Sequence, residues 1–217
     1  MRIRYICLVF SIWLLGFCSG CAKTVTPLVT YGDQMVVEVT LRGNIDAHAN
    51  RYFLILSSDP GYKIPLPFPD QIGDLPEFIE PGMIPTIGSA EGYHSNFYSS
   101  WAGYAMVDVN GVSLVKGPFA LGTSATREAI ANLVEGTNKI SFIFRLGRVF
   151  DTIPDKIYFD FAVVPWPDGQ AKIPADHLPS TNNYVMRIAG SFVSVDDAGN
   201  SGFDPAQDIL GCKVEIQ

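Results

Sequence analysis

The chain has 217 residues, of which 47% are hydrophobic and 17% charged, and its formal net charge is −7. This apolar share, with 12% aromatic residues, is typical of a packed globular domain and excludes an intrinsically disordered chain. The negative charge argues against nucleic acid as a partner and against direct adsorption to an anionic membrane, because both attract basic protein surfaces.

The N-terminus has the organisation of a secretory signal peptide. Two arginines precede an apolar run over residues 5–17, which is shorter than the roughly 17–25 residues of a transmembrane helix. Two small residues then stand directly before Cys21, where a signal peptidase needs narrow side chains. We therefore predict that residues 1–20 are a signal peptide that is removed on export.

The sequence Ser19-Gly20-Cys21 after this apolar run resembles the bacterial lipobox, although Cys18 stands where leucine is usual. The resemblance implies that Cys21 is the lipid attachment site, carries palmitate-type chains and begins a membrane-anchored lipoprotein. Residues 21–33 would then form the lipidated N-terminus and a short tether. Ala22-Lys23 lacks the aspartate that often marks inner-membrane retention, which favours the outer membrane of the cell envelope. The alternative is a soluble secreted protein.

Residues 34–217 are predicted to form a single, mainly β domain. Short β-branched and aromatic runs alternate with clusters of Gly, Pro, Asn and Asp, as in antiparallel sandwiches. The predicted strands are residues 35–41, 51–57, 101–109, 112–116, 138–145, 156–164, 184–195 and 209–216. We expect a β-sandwich of immunoglobulin-like or jelly-roll-like type, with an open barrel as the alternative.

Two of the connections between these strands carry turn signals. The first two strands are close enough in sequence to form a hairpin, with turn residues over 43–50. Asn110-Gly111 stands between two apolar runs and predicts a type I′ turn, in which both central residues need positive φ.

Two further stretches depart from the strand pattern. Apolar residues recur every three or four positions over 124–134, which predicts one short helix with Ser124 as its N-cap. Residues 59–92 contain seven prolines and many large apolar residues, which predicts a long extended loop that covers a sheet face. The alternative is a groove or partner surface, and the same two interpretations apply to residues 165–183.

The aromatic residues near the third strand are the best candidates for ligand binding. Sugar rings stack on exposed aromatic faces, while Asn, Ser and His side chains bind their hydroxyl groups. The candidate ligand-binding residues are Tyr98, Trp101, Tyr104 and Trp166. The alternative is that these side chains pack in the core.

An acidic loop before the last strand is the best candidate metal site. Calcium prefers several hard oxygen ligands from one compact loop. The tentative calcium ligands are Asp196, Asp197, Asn200 and Asp204. The loop differs from an EF-hand because Ala198 occupies a ligand position, and the alternative is a polar hairpin loop without metal.

None of the three histidines stands in an H-x-H, H-x-x-x-H or C-x-x-C setting, and the sequence contains no G-x-S-x-G pattern, so neither a zinc site nor a serine nucleophile is indicated. We therefore predict a membrane-anchored, non-catalytic binding or assembly module with no cofactor except the tentative calcium ion. Its partner would be a glycan or an envelope protein. The alternative is a secreted hydrolase, for example a carbohydrate-active enzyme, whose titratable groups would meet in one pocket.

Overall fold

The computed structural model describes residues 29–67, 77–134, 136–180 and 182–217. The predicted signal peptide, Cys21 and most of the predicted tether lie outside these residues. The end of that tether is bound to the domain. Tyr31 forms a β-bridge with Ile188, and the Asp33 N–H donates to the Gln217 carbonyl at 2.9 Å. The Thr30 carbonyl also accepts the Ala189 N–H, at 2.9 Å.

The described strands form two antiparallel sheets, which confirms the predicted β-sandwich. The strands are β1 Gln34–Leu41, β2 Asn50–Ser57, β3 Gly103–Asp108, β4 Gly111–Lys116, β5 Arg127–Ala131, β6 Lys139–Arg145, β7 Lys156–Pro165, β8 Asp176–His177, β9 Tyr184–Met186, β10 Phe192–Asp196 and β11 Ile209–Ile216. The smaller sheet has the order β10-β11-β1-β6. The larger has the order β5-β4-β3-β2-β7-β8, and β9 also pairs with β7. The finer type of sandwich, immunoglobulin-like or jelly-roll-like, stays a prediction.

The larger sheet is buried on both faces. Tyr52 and Leu54 of β2 lie in the core between the sheets, whereas Phe53 and Ile55 belong to a second core on the outer face. Side chains alternate across a strand, so a strand buried on both faces consists of a continuous apolar run. β1 of the smaller sheet instead buries every second residue, because the outer face of that sheet is open to solvent.

The proline-rich segment supplies five of the seventeen buried residues of the second core. Five of its apolar residues are buried there, namely Tyr62, Ile64, Leu66, Phe78 and Ile79, whereas Met83, Ile84 and Ile87 are exposed. This confirms, for the described residues, that the segment docks on a sheet face. Residues 68–76 of the segment lie outside the described residues.

A buried carboxylate joins this segment to the second long loop. Glu77 is 1% exposed, and its Oε2 accepts the N–H groups of Thr86 at 2.8 Å and Ile87 at 3.0 Å. Its Oε1 accepts the N–H of Lys172 at 3.2 Å, and the Phe78 N–H donates to the Lys172 carbonyl at 2.6 Å. The proline-rich segment and the loop over residues 165–183 are therefore bound to each other and form one layer.

The predicted helix over residues 124–134 is wrong, because this stretch contains β5, which pairs with β4. The open edge of β4 binds the backbone of β5, and that tertiary pairing overrides a weak helical period. The helix α1 lies at Ala90–Asn96 instead, where the Ser89 side chain accepts the Gly92 N–H. Among the described residues, no helix has the length and apolar character needed to cross a bilayer.

The predicted hairpin between the first two strands is also wrong, because β1 and β2 belong to different sheets. The β3–β4 hairpin is confirmed, but its turn is not type I′. No described residue other than glycine has positive φ, whereas Gly111 has φ 109°. Asp108 pairs with Gly111, so Val109 and Asn110 form the turn and the glycine completes it.

Candidate functional site

Three of the four predicted ligand-binding aromatics lie in the second core. Tyr98 and Trp101 are each 4% exposed and Tyr104 is 0% exposed. The Trp101 ring centroid lies 5.0 Å from that of Tyr98 and 6.1 Å from that of Tyr104. Trp101 Nε1 donates to the Lys63 carbonyl at 2.8 Å, and the Tyr98 hydroxyl donates to the Ile79 carbonyl at 2.6 Å. These rings are packed in the second core, and a ligand-binding role for them stays a prediction.

An ionic network fixes the proline-rich segment over these rings. The Tyr104 hydroxyl donates to Glu80 Oε2 at 2.8 Å, and Arg127 forms ion pairs with Glu80 and Asp108. Burial, followed by the charge of Glu80, raises the pKa of Tyr104. The network therefore holds Tyr104 as a neutral hydrogen-bond donor to Glu80.

Trp166, the fourth candidate, is half-buried beside two cations. The Arg51 guanidinium carbon lies 5.8 Å from its ring centroid and the Lys172 ammonium 5.6 Å from it. The Phe53 ring lies 6.0 Å away. Trp166 therefore joins the interlocked loops to the larger sheet, and a ligand-binding role for it stays a prediction.

The predicted calcium loop is organised by an arginine. Arg42, directly after β1, forms an ion pair with Asp208, and its Nη2 donates to the carbonyls of Asn200 at 3.1 Å and Phe203 at 2.6 Å. Asp208 is 1% exposed and also accepts the Asn200 N–H at 3.0 Å. A guanidinium thus supplies positive charge to the oxygen atoms of this loop.

The tentative calcium ligands are Asp196, Asp197, Asn200 and Asp204. The Oδ1 atoms of Asp197 and Asp204 each accept the N–H of a nearby alanine, at 2.7 and 2.9 Å. Asn200 Oδ1 accepts the N–H of Gly202 at 2.9 Å. In the described part of the chain, no group of three or more His, Cys, Asp or Glu side chains is placed to hold a metal. Calcium binding here stays a prediction.

Two aspartates of the larger sheet are in unusual environments. Asp160 is 0% exposed, its Oδ1 accepts the Phe161 N–H at 2.7 Å, and its Oδ2 has no hydrogen-bond partner among the described residues. Burial raises the pKa of Asp160 well above its ordinary value. The Asp176 carboxylate accepts the N–H groups of Ile209 at 2.7 Å and His177 at 3.0 Å. Burial raises the pKa of Asp176 to about 6.

A solvent-exposed groove of about 520 Å³ lies between β9 and β10. β9 pairs with β7 of the larger sheet and β10 pairs with β11 of the smaller sheet. The turn over residues 187–191 joins the two strands, with Gly190 at φ 84°. The chain passes here from one sheet to the other, and the groove lies where the sheets part.

Two exposed aromatic rings and several hydrogen-bonding side chains line this groove. Tyr184 is 42% exposed and Phe192 is 61% exposed. The polar lining residues are Asn182, Asn183 and Ser191. The Lys156 ammonium lies 4.7 Å from the Tyr184 ring centroid, and the Lys213 ammonium lies 5.3 Å from that of Phe192. The groove therefore combines aromatic surface with amide and hydroxyl groups, and the Lys156 ammonium lies beside it at the Tyr184 ring. Lys213 is paired with Glu215 at 2.8 Å.

Sequence reasoning missed this groove because it treated residues 184–195 as one strand. The signal that could have revealed it is Ala189-Gly190-Ser191, a run of small residues that interrupts the strand pattern. A break at that point puts Tyr184 and Phe192 at the ends of two different strands.

Comparisons of the chain with protein family models, with curated proteins and with solved structures gave no match.

Proposed function

We propose that this protein is a membrane-anchored envelope lipoprotein whose domain binds a glycan in the groove between β9 and β10. The anchor is supported by the lipobox-like Ser19-Gly20-Cys21 after the apolar run. The binding function rests on one observation, which is that Tyr184 and Phe192 are exposed beside amide and hydroxyl side chains in a single groove.

The chemistry of the groove suits a polysaccharide. The C–H face of a sugar ring is apolar and packs on an aromatic face, while its hydroxyl groups need donors and acceptors around the edge. Phe192 and the exposed part of the Tyr184 ring, whose centroid lies 5.7 Å from that of Tyr158, supply the apolar surface. Asn182 and Asn183 supply amide groups. Lys156 adds a cation, which favours a glycan that carries carboxylate groups. For a protein held near an envelope membrane, peptidoglycan is such a polymer.

Acylation of Cys21 can be tested on the intact chain. We expect mass spectrometry of the mature N-terminal peptide to show Cys21 carrying fatty acyl chains, and Cys21→Ser to remove the protein from the membrane fraction. A mature peptide with an unmodified thiol, or an unaltered chain recovered free in the medium, would overturn the anchor.

Glycan binding can be tested by co-sedimentation with purified peptidoglycan sacculi. We expect Tyr184→Ala and Phe192→Ala each to weaken binding about tenfold, because loss of one stacked ring removes about 1–1.5 kcal/mol. Both side chains are exposed, so the fold should tolerate either change.

The matched control for this experiment is Phe203→Ala, which removes an aromatic ring that is 38% exposed on the loop between β10 and β11. It should bind sacculi as the unaltered chain does. Equal binding by all three variants would rule out the groove as the glycan site.

A further inference from the structure

The smaller sheet has a free edge at β6. The sheet order is β10-β11-β1-β6, so β6 has a neighbour on only one side. The Leu41 N–H donates to the Asn138 carbonyl at 2.8 Å, and the Leu146 N–H donates to the Asp33 carbonyl at 2.8 Å. Backbone groups in an antiparallel ladder face the partner strand at every second residue. The residues whose N–H and C=O groups point away from β1 are therefore Lys139, Ser141, Ile143 and Arg145.

This edge is long, regular and exposed. Among the described strands at sheet edges, β6 with seven residues is the longest, and its register with β1 has no irregularity. Native edge strands are protected by prolines, bulges or charged side chains. β6 has charged residues only at its two ends and neither a proline nor a bulge. The four residues that point their backbone groups away from β1 also have exposed side chains.

A groove of about 360 Å³ lies beside the first residues of this edge. One wall is the start of β6 and the other is the connection from β5. The apolar lining residues include Leu133, Val134 and Ile140, and Val134 is 64% exposed. Ile140 belongs to the core between the sheets, so a side chain placed in this groove extends that core. Beyond the far end of β6, Arg148 Nε donates to Glu128 Oε2 of β5 at 2.8 Å and ties the two sheets together.

The free edge carries positive charge, although the formal net charge of the chain is −7. Lys139 and Arg145 stand at the two ends of β6. No carboxylate among the described residues forms an ion pair with either of them. Glu38 lies opposite Ser141, but it is on β1, one strand away from the edge. A partner that approaches the edge therefore meets two unpaired cations, which favours a partner with carboxylates.

We propose that β6 accepts an extended segment of a partner protein as an additional antiparallel strand. The backbone of that segment bonds to the N–H and C=O groups of Ser141 and Ile143, and these main-chain bonds supply the affinity. Every second side chain of the segment enters the groove beside Leu133 and Val134, so apolar residues suit those positions. Carboxylates near its ends face the two cations. This surface is separate from the proposed glycan groove, which lies at β10 on the opposite edge of the smaller sheet.

A second copy of the chain fits this edge less well. Antiparallel pairing of two β6 strands, in the register that matches all seven residues, places Lys139 of each copy opposite Arg145 of the other. Like charges directly opposite each other destabilise a strand pair. Shifted registers leave part of the edge unpaired. The cations therefore favour a different chain.

The test measures the binding of two synthetic peptides to the full chain by isothermal titration calorimetry. The first peptide is Glu-Val-Thr-Val-Thr-Val-Glu with blocked ends, and the second has lysine in place of both glutamates. We expect the glutamate peptide to bind at least about tenfold more tightly, because its carboxylates lie opposite Lys139 and Arg145. Equal affinities, or no heat with the glutamate peptide at millimolar concentration, would overturn the proposal.

Two substitutions at one position test the backbone contact. Ser141→Pro removes an N–H from the free edge and none from the ladder with β1, so the strand should remain paired. It should weaken binding of the glutamate peptide at least about tenfold, whereas Ser141→Ala keeps the N–H and should bind as the unaltered chain does. A glutamate peptide with N-methyl groups on both threonines makes the same test without altering the protein. If it binds as the unmethylated peptide does, the contact is not strand addition and the proposal fails.

Sedimentation velocity of the full chain distinguishes a different partner from a second copy. We expect the unaltered chain and Ser141→Pro to sediment alike, because β6 does not pair with itself. A dimer of the unaltered chain that Ser141→Pro dissociates would assign the edge to a second copy and overturn the proposed partner.

Discussion

Arg42→Met is expected to lower the free energy of unfolding by about 3–5 kcal/mol, because it leaves a buried carboxylate without its ionic partner. The Asp208 side chain is 2% exposed, whereas that of Arg42 is 32% exposed. Methionine keeps most of the aliphatic stem, so the loss reports mainly on the guanidinium. Urea unfolding at pH 7, with the slope compared between variants, measures the effect.

The control for this prediction is Lys116→Met, which removes an exposed ion pair. The side chains of Lys116 and Asp151 are 37% and 81% exposed, and such pairs contribute about 0–1 kcal/mol. The double variant Arg42→Met/Asp208→Asn should be more stable than Arg42→Met, since it no longer buries a lone charge. Similar losses from Arg42→Met and Lys116→Met would contradict the assigned role of Arg42.

This ion pair also explains why sequence reasoning turned to calcium. A loop rich in Asp and Asn next to a strand has the oxygen atoms that a cation needs. The cation that the structure provides is Arg42, which lies 166 positions from Asp208 in the chain. A partner so distant in sequence leaves no local pattern, so sequence reasoning did not predict Arg42 at this loop.

The strands were predictable where burial gives a simple alternation or a continuous apolar run. β1 shows the first pattern and β2 the second, and both were predicted within one residue of their bounds. β5 was not predictable, because all five of its residues are exposed or half-buried and its place depends on the free edge of β4. Its apolar residues have a helix-like spacing by chance, because a short segment can fit more than one period.

The candidate site was less predictable than the fold, because exposure is a property of the whole structure. Tyr98, Trp101 and Tyr104 were chosen for their residue types, yet the proline-rich layer covers them. Tyr184 and Phe192 have the same chemistry but are exposed at a groove formed by two sheets. Residue type identifies what a side chain can bind, whereas only tertiary structure decides whether a ligand reaches it.

Asp160→Asn is expected to raise the stability of the domain at neutral pH relative to the unaltered chain. Asp160 is 0% exposed, its Oδ2 lacks a hydrogen-bond partner within the described part of the chain, and burial raises its pKa. The folded chain thus retains a proton that the unfolded chain releases above about pH 3.9. An amide keeps the acceptor for the Phe161 N–H and removes the cost of an ionisable group in this position.

The effect has a defined dependence on pH. Where the folded state binds more protons than the unfolded state, the free energy of unfolding falls as pH rises, by about 1.4 kcal/mol per pH unit per proton. Asp176, with its pKa raised to about 6, contributes in the same direction between about pH 4 and 6. Asp160 also lowers the free energy of unfolding as pH rises from about 4. This decrease continues until the pH at which the folded state releases the Asp160 proton.

The decisive quantity is therefore the difference in unfolding free energy between Asp160→Asn and the unaltered chain, measured by urea unfolding from pH 5 to pH 8. We expect this difference to be smallest at pH 5 and to grow with pH in favour of the variant. Asp168→Asn removes an exposed carboxylate and should give a curve parallel to that of the unaltered chain. If Asp160→Asn also runs parallel, or if its advantage shrinks as pH rises, then the buried carboxyl is not the group that retains the proton. The charge of Asp160 would then have to be compensated in the folded core by contacts beyond its bond to Phe161.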